Sequence, residues 1–476
     1  MTKIDWTALH REAPTWFSDA KFGLFFHWGP YSVPAFQNEW YSRNMYAKGL
    51  EQHKWHVEKY GKLSDFGYKD FYPGMTGDAF CANQWAELVK RSGAKYAGPV
   101  TEHADNFSLW DSKVNPINSV NYGPKRDIVA ECAEAFRKKG IKFLSTFHHQ
   151  WLWGWFMSDV TSADVYDPAN EKYYWKSLPL ETNRYIPYRL PDYDFCNNWL
   201  TKIKEVVEAH KPEALYFDSR TNIINEQTRF EMAKHYYTHV PNGIITYKQN
   251  DIPEHVGVLD IERGHFSDAK PFVWQTDDRL EDNVTWCMVQ EPKYRTATSV
   301  IRQLCDIVSK NGVLLLNVGP YANGSFHKTA VETLHSIGDW LQINGEAIYE
   351  TRPWYVAMEG ATTSADSNYD VSQIEKQTTD GLESVDALEN SYTHQDFRFT
   401  KGQNAVYAIA LGLPCDGKYL IKSMTPDRVS NISKVTLLGY DTPLTFERVD
   451  KGLLVNLPGN IPGQHAWTIK IEGDNL

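Results

Sequence analysis

Carboxylates and imidazoles follow several short apolar segments of this chain. Asp218 ends the segment ALYFD, His27 ends KFGLFFH, and His148 follows KFLSTF. His103 follows AKYAGPV at the same kind of position, two residues further on. In parallel α/β folds the carboxyl ends of the strands meet at one face, where ligands bind. The sequence therefore predicts that these groups surround one site.

A pair of carboxyl groups facing one bond can cleave a glycoside. Asp218 is the first candidate, and Glu262, which follows the strand-like segment VGVL, is the second. Each also has an ordinary interpretation. Asp218 could cap the next helix, and Glu262 could form an ion pair with Arg263.

Aromatic rings accompany these polar groups. Glu39 and Trp40 follow the first apolar segment, Tyr216 precedes Asp218, and Trp274 begins another aromatic strand. Rings stack on the apolar face of a sugar while polar groups bind its hydroxyls, so this mixture favours a carbohydrate site. His27, His103, His148 and Glu262 could in principle hold a metal ion, but no HExxH-like spacing supports one. We therefore predict no metal and no cofactor, and expect the imidazoles to contact sugar hydroxyls.

The elements that must position these groups alternate between strands and helices. The segments FGLFFHWG, IKFLSTFHH and VLLLNVGP read as strands, and DIVAECAEAFRKKG and NNWLTKIKEVVEAHKP read as helices. This rhythm predicts a (β/α)₈ barrel over residues 1–348. A doubly wound sheet is the alternative, but no GxGxxG turn follows any strand.

The pattern changes after Arg352-Pro353-Trp354. Segments such as AVYAIALG, KVTLLGY and HAWTIKIEG alternate apolar and polar residues, which is typical of antiparallel strands. We predict a C-terminal β-sandwich over residues 349–476, with a long polar loop at residues 361–384.

Composition narrows the class of protein. A length of 476 residues favours two domains, and the net charge of −11 argues against non-specific nucleic-acid binding. The six cysteines show no metal-type spacing, and no apolar run is long enough for a membrane span. The N-terminus lacks a signal-peptide core. Either the protein is periplasmic or extracellular and its signal has been removed, or it is cytoplasmic.

The run KFGLFFHWGPYSVPAFQNEWYSRNMY resembles the N-terminal signature of glycoside hydrolase family 29, the retaining α-L-fucosidases. The similarity continues in chain order through EHADNF, ALYFDSR, WQTD, NGVLLLNVGP and WLQINGEAIYETRPW. The resemblance implies a barrel followed by a β-sandwich, no cofactor, and a fucosylated glycan, possibly sulfated, as substrate. It leaves the oligomeric state open.

The resemblance also implies roles for individual residues. Asp218 matches the family nucleophile, and His27, Glu39 and Trp40 match sugar-pocket positions. His103 matches the first His of the family's H-H-D-G-F motif, where Ala104 replaces the second. We expect His148, Tyr216, Arg263 and Trp274 to bind the substrate as well, and the rings of Phe26, Trp40 and Trp274 to form a niche for the fucose methyl.

This chain differs from the family at the residue that acts as general acid and base. Many members carry it as Glu in W-E-x-C, where this chain has Trp274-Gln275-Thr276-Asp277. Glu262 is the first candidate, with a raised pKa and its carboxyl about 5–5.5 Å from that of Asp218. Glu39 and Asp277 come next, followed by His148 or His265.

Three other interpretations of the site stay open. The replacements at positions 104 and 275 suit a silent fucose-binding homologue, although a pure binder needs no nucleophile. A glycosidase for a related sugar, such as an α-L-galactoside, is the second. Metal-dependent hydrolysis is the third, and EDTA would inhibit it.

Overall fold

A closed barrel of parallel strands dominates the computed structural model, which describes residues 4–178, 190–362, 392–474 and 476. Its strands are β1 Phe22–Phe26, β2 Tyr96–Glu102, β3 Lys142–Phe147, β4 Ala214–Phe217, β5 Ile244–Lys248, β6 Val258–Asp260, β7 Trp274–Arg279 and β8 Gly312–Asn317. Each strand pairs in parallel with the next along the chain, and β8 closes on β1 with Phe22 opposite Leu314. The predicted barrel is confirmed.

Helices surround the barrel unevenly. They are α1 Thr15–Ala20, α2 Tyr41–Asn44, α3 Glu51–Tyr60, α4 Ala82–Ser92, α5 Ile128–Lys138, α6 Glu171–Tyr174, α7 Tyr193–His210, α8 Glu226–His239, α9 Ala297–Ser309 and α10 Lys328–Asn344. Side-chain caps begin several of them: Asp127 accepts the Ala130 N–H and Asp192 accepts the Phe195 N–H, at 2.8 Å each. Residues 249–273, all of them described, contain no helix around the short strand β6.

Large rings fill the barrel interior. Phe25, Tyr96 and Tyr216 are fully buried there, and the Phe25 and Tyr216 ring centroids are 6.0 Å apart. Side chains alternate between the two faces of a strand. Phe26 therefore points outward, where it packs on Trp85 and Phe326. It cannot contribute to a methyl niche inside the barrel, and that prediction is wrong.

A β-sandwich follows the barrel, as predicted. Its strands are β9 Arg352–Glu359, β10 Phe397–Lys401, β11 Ala405–Ala410, β12 Lys418–Ile421, β13 Asn431–Leu437, β14 Phe446–Val449, β15 Gly452–Asn456 and β16 Trp467–Asp474. They form a five-stranded antiparallel sheet in the order β13-β16-β11-β10-β9 and a three-stranded sheet in the order β12-β15-β14. Phe397 of one sheet contacts Tyr419 of the other, with ring centroids 5.3 Å apart.

Buried polar contacts join the sandwich to the barrel. Arg398 of β10 donates to Asp306 of α9 over 2.5 Å, and Trp340 of α10 donates to the Ala466 carbonyl over 2.8 Å. The predicted polar loop lies outside the described residues apart from positions 361 and 362. None of the helices in the described part combines the length and hydrophobicity that crossing a bilayer requires.

Candidate active site

A cavity opens at the carboxyl ends of the barrel strands and encloses about 480 Å³, including its open mouth. Three histidines, four carboxylates, four aromatic residues, a serine and a lysine line it: His27, Glu39, Trp40, His103, His148, Trp151, Tyr216, Asp218, Ser219, Lys248, Glu262, Asp277 and Trp286. Most of the residues singled out in the sequence therefore meet in one place. The mixture of rings and convergent polar groups suits a small ligand such as one sugar ring.

Asp218 is fixed by its backbone and keeps an accessible carboxylate. It directly follows β4, and its N–H donates to the Phe147 carbonyl over 3.1 Å. Its own carbonyl accepts from the Gln150 side-chain amide over 2.6 Å. The side chain is 19% exposed, and Oδ1 lies 3.1 Å from Lys248 Nζ. Its position suits attack on a bound ligand.

Lys248, at the end of β5, contacts three of the cavity carboxylates. Its Nζ lies 2.5 Å from Glu262 Oε2, 3.1 Å from Asp218 Oδ1 and 3.3 Å from Asp277 Oδ2. Burial opposes its charge, but these carboxylates outweigh burial and raise the pKa of Lys248 well above its usual range. Lys248 was not singled out from the sequence, although its place at the end of the strand IITYK is the same signal that identified Asp218.

Glu262 follows β6 and faces the same lysine. Burial raises the pKa of its carboxyl to about 7, Asp277 and Asp218 add to the rise, and Lys248 opposes it. Since Glu262 Oε2 and Asp218 Oδ1 contact one nitrogen at 2.5 and 3.1 Å, they lie at most 5.6 Å apart. Retaining glycosidases separate their two carboxyl groups by about 5–5.5 Å, and inverting enzymes by about 6.5–9.5 Å.

Asp277 is buried in the cavity wall and is contacted through one carboxylate oxygen. Tyr216 Oη donates to its Oδ2 over 3.1 Å, and Lys248 contacts the same oxygen. Burial and the charge of Asp277 raise the pKa of neighbouring Asp260 well above its usual range. Both contacts use Oδ2, whereas Oδ1 is buried without a hydrogen-bond partner among the described residues.

Gln275 lies in the barrel interior rather than on the cavity wall. Its Oε1 accepts from Tyr96 Oη over 2.9 Å, and its Nε2 donates to Asp260 over 2.7 Å. Position 275, where many family members have Glu, does not belong to the cavity wall among the described residues. Gln at this position therefore does not remove a proton donor from that wall.

The three histidines form one cluster against the cavity. Their ring centroids are 4.9–5.6 Å apart, and one nitrogen of each lies within 4.8 Å of the others. Burial lowers the pKa of His27 to about 4, and the pKa values of His103 and His148 fall well below the usual range for the same reason. They are thus neutral near pH 7.

The hydrogen bonds of this cluster leave ring nitrogens for a ligand. His27 Nδ1 donates to Asn317 Oδ1 over 2.7 Å, because an amide oxygen only accepts, and its Nε2 keeps a lone pair. His103 Nδ1 and His148 Nε2 are buried and have no hydrogen-bond partner among the described residues. Such nitrogens suit sugar hydroxyls, and their spacing would also admit a metal ion.

Glu39 and three indoles complete the wall. Glu39 Oε2 accepts from the backbone N–H of Trp286 over 2.9 Å, and burial raises the pKa of the Glu39 carboxyl. Trp40 packs on Trp151, with ring centroids 5.4 Å apart. Trp286 was not identified as a site residue in the sequence, and it lies in a loop without any periodic pattern.

Three residues singled out in the sequence do not line the cavity. Trp274 is fully buried, donates to the Lys310 carbonyl over 2.9 Å and packs on Phe266 outside the barrel interior. The Arg263 side chain faces Asp278 at 3.3 Å. The structure therefore places Trp274 and Arg263 away from the cavity wall, contrary to expectation, and does not support substrate binding by either residue. His265 lies outside the wall as well.

Comparison with known proteins identifies relatives over nearly the whole chain. A family model described as "Alpha-L-fucosidase" matches residues 2–346, and one described as "Alpha-L-fucosidase C-terminal domain" matches residues 389–472. Human tissue alpha-L-fucosidase is 28% identical over 488 residues, which cover 98% of this chain and 91% of the relative. Human plasma alpha-L-fucosidase is 27% identical, with 99% and 92% covered.

Solved structures of fucosidases have a similar fold. The fold is similar to that of Thermotoga maritima alpha-fucosidase in complex with fucose, with a TM-score of 0.75 and 25% identity over 99% of this chain and 100% of that chain. A complex of the Thermotoga maritima enzyme with a mechanism-based inhibitor gives the same TM-score and identity, with 98% and 99% covered.

Proposed function

The chain belongs to the α-L-fucosidase family of glycoside hydrolases, and on that premise we propose that it removes terminal α-L-fucosyl residues with retention of configuration. The observation that carries the retaining mechanism is the limit of 5.6 Å between Asp218 and Glu262, set by their shared contacts of 3.1 and 2.5 Å with Lys248. An inverting mechanism needs room for a water molecule between the two groups, at about 6.5 Å or more.

Binding places one fucose ring in the cavity. The neutral imidazoles of His27, His103 and His148 exchange hydrogen bonds with its hydroxyls, and Glu39 accepts from another. The indoles of Trp40, Trp151 and Trp286 pack on the apolar face of the ring and around its methyl group. These contacts hold C1 above Asp218, which is the positioning that makes the attack effectively unimolecular.

The first chemical step forms a covalent fucosyl-enzyme. Asp218 Oδ attacks C1 while the C1–O bond to the leaving group breaks. Glu262 delivers its proton to the departing oxygen, so the aglycone leaves as a neutral alcohol. With its pKa at about 7, much of Glu262 carries that proton near neutral pH.

The second step returns the enzyme to its starting state. Glu262, now ionised, takes a proton from water as the water oxygen attacks C1. The bond between C1 and Asp218 breaks, L-fucose leaves in the α configuration, and Glu262 is protonated again. Two inversions give net retention.

Lys248 has a positioning role in this scheme. Its ammonium holds the Asp218 carboxylate at 3.1 Å and also contacts Glu262 and Asp277. When Glu262 carries its proton, the lysine stays paired with the two aspartates. It thereby stabilises negative charge on the nucleophile, and its own charge lowers the pKa of Glu262.

Charge at the cavity favours an unsulfated sugar. Four carboxylates, those of Glu39, Asp218, Glu262 and Asp277, face the cavity, and Lys248 is the cation of the described wall. A sulfate on the bound fucose would be repelled by the carboxylates at close range. We therefore propose that any sulfated residues of the glycan lie outside this cavity.

Proton NMR of the product tests the proposal directly. With 4-nitrophenyl α-L-fucoside as substrate, we expect the α anomer of L-fucose to appear first and to mutarotate afterwards. First appearance of the β anomer would overturn retention, and the absence of fucose release from aryl and natural fucosides alike would overturn the activity. We expect EDTA to leave the rate unchanged, since no step needs a metal ion.

A further inference from the structure

A cluster of potential metal ligands joins two barrel helices away from the active site. Glu208 lies near the end of α7, and His235 and His239 lie one turn apart near the end of α8. One carboxylate oxygen and two imidazole nitrogens of these residues all lie within 4.8 Å of one another. The proposed mechanism uses none of them.

The two imidazoles are arranged as a chelating pair. Residues four apart share one face of a helix, and the His235 and His239 ring centroids are 4.1 Å apart. His239 Nδ1 donates to the His235 carbonyl over 2.9 Å. That hydrogen bond leaves the lone pair on Nε2 and fixes the ring, as the outer partners of metal-bound histidines do.

Glu208 supplies a third ligand from the neighbouring helix. Its Oε1 lies 3.2 Å from His235 Nε2. That nitrogen is buried and has no hydrogen-bond partner in the described part of the chain. A buried imidazole nitrogen thus points at a carboxylate without a well-aligned hydrogen bond between them, and an ion shared by both would satisfy it.

The surroundings favour a cation. α7 ends at His210 and α8 ends at His239, and the C-terminal end of a helix carries partial negative charge. Glu208 is 57% exposed and His239 is exposed, so an ion and a water molecule can reach the cluster. Helices of a (β/α)₈ barrel run opposite to its strands, so this cluster lies on the face away from the active site.

We propose that Glu208, His235 and His239 bind one divalent transition-metal ion of the Zn²⁺ class, with water as the fourth ligand. Two imidazoles and a carboxylate suit Zn²⁺, whereas Mg²⁺ and Ca²⁺ require oxygen ligands. The ion links the helix before β4 to the helix after it. Because β4 leads into Asp218, the bound ion stabilises the two helices on either side of the strand that carries the nucleophile. It takes no part in the chemistry.

Titration of the metal-stripped, full-length protein with ZnCl₂ tests this site. Calorimetry gives the stoichiometry and affinity for the parent protein and for the variants H235A, H239A and E208Q. His394→Ala removes an exposed histidine of the C-terminal domain and is the matched control. The active-site histidines are present in every variant, so any zinc that they bind cancels in the comparison.

We expect the parent and H394A to bind one more Zn²⁺ per chain than H239A, or to bind that ion at least tenfold more tightly. Their melting temperature should rise with ZnCl₂ but not with MgCl₂, and H239A should lose that rise. H239A should keep the fucosidase rate of the parent, which shows that it is folded. Equal stoichiometry, affinity and thermal shift in the parent, H235A and H239A would overturn the proposal, as would a parent protein that binds no zinc.

Discussion

At the scale of single residues, three carboxyl groups of the active site share one lysine. Asp218 is the most accessible member of the group next to Lys248, Asp277 is buried among donors, and Glu262 has a pKa raised to about 7. Different surroundings thereby give chemically similar groups different tasks. We assign attack to Asp218 and proton transfer to Glu262.

Replacing Glu262 by Gln should remove the proton donor while preserving the shape of the cavity. We expect kcat/KM to fall by about 10²–10⁴ on fucosides whose leaving alcohol needs a proton, and far less on aryl fucosides with acidic leaving groups. Azide should restore turnover of the activated substrate by attacking the fucosyl-enzyme. Steady-state kinetics on both substrates measures this difference.

Glu39→Gln is the matched control, because Glu39 also lines the cavity with a raised pKa. Glu39→Gln should lower kcat/KM for both substrates to a similar extent, and azide should not restore its activity. If Glu39→Gln gave the leaving-group dependence and Glu262→Gln did not, the two roles would have to be exchanged.

Lys248→Met should shift the pH dependence. Lys248 lowers the pKa of Glu262, so without the lysine the acid keeps its proton to higher pH. The alkaline limb of kcat/KM, which reflects loss of that proton from free enzyme as pH rises through about 7, should therefore move upward. Lys248→Arg should leave it near its original position. If Lys248→Met lowered kcat/KM at every pH and left the alkaline limb at its original pH, the lysine would have only a structural role.

Side-chain parity explains one error of the sequence analysis. Gln275 and Asp277 point into the barrel, so Trp274 must point out of it. Aromatic character alone suggested that Trp274 binds substrate. Asp277 and Trp274 are three residues apart on β7, so their side chains lie on opposite faces. With Asp277 as a candidate for the site, Trp274 should have been placed outside it.

At the scale of elements, close packing of β2 against β3 positions two histidines of the cavity. His103 follows β2, His148 follows β3, and Gly98 lies between the strands where a Cβ would come within 1.7 Å of the Leu144 carbonyl oxygen. Backbone atoms cannot yield as a flexible side chain does. The strands therefore require glycine at this position.

Gly98→Ala should lower the free energy of unfolding by about 1–3 kcal/mol or more, because it forces the two strands apart. Urea denaturation measures the loss, and weaker fucose binding should accompany it as His103 and His148 separate. Gly459→Ala is the control, since a Cβ there meets nothing within 4 Å. Equal stability of both variants would contradict the packing argument.

Regular elements were the most predictable part of the fold. The strand FGLFF and the helix that begins after Asp127 are marked by an apolar run and by a capping residue. The stretch from β5 to β7 gave a weaker signal, the strand-like segment VGVL, because β6 has three residues and no helix covers it. Trp286 reaches the cavity through a loop whose position depends on a tertiary contact with Glu39, which local sequence cannot reveal.

At the scale of the whole molecule, a buried ion pair fastens the sandwich to the barrel. Arg398 is 1% exposed and contacts Asp306, which also pairs with Lys310 at 2.7 Å. Arg398→Met should destabilise the protein by about 3 kcal/mol, the lower end of the usual range for breaking a buried pair, because Lys310 still neutralises Asp306. Thermal and urea unfolding of the intact chain measure this change.

An exposed pair of the same sandwich provides the comparison. Lys434 and Glu472 are 3.5 Å apart, and their side chains are 52% and 32% exposed. Lys434→Met should therefore change the stability by about 1 kcal/mol or less. An equal effect of the two substitutions would show that burial at the domain junction does not set the strength of the contact.

Covalent trapping of the nucleophile tests the central claim most directly. Treatment with 2-deoxy-2-fluoro-fucosyl fluoride should attach one fluorofucosyl group to the peptide that contains Asp218, and tandem mass spectrometry should place it on that side chain. Excess L-fucose should slow the labelling, which shows that the probe occupies the cavity. A label on Glu262 or on another carboxylate, or a probe that binds competitively with fucose and leaves the Asp218 peptide unmodified, would contradict the account.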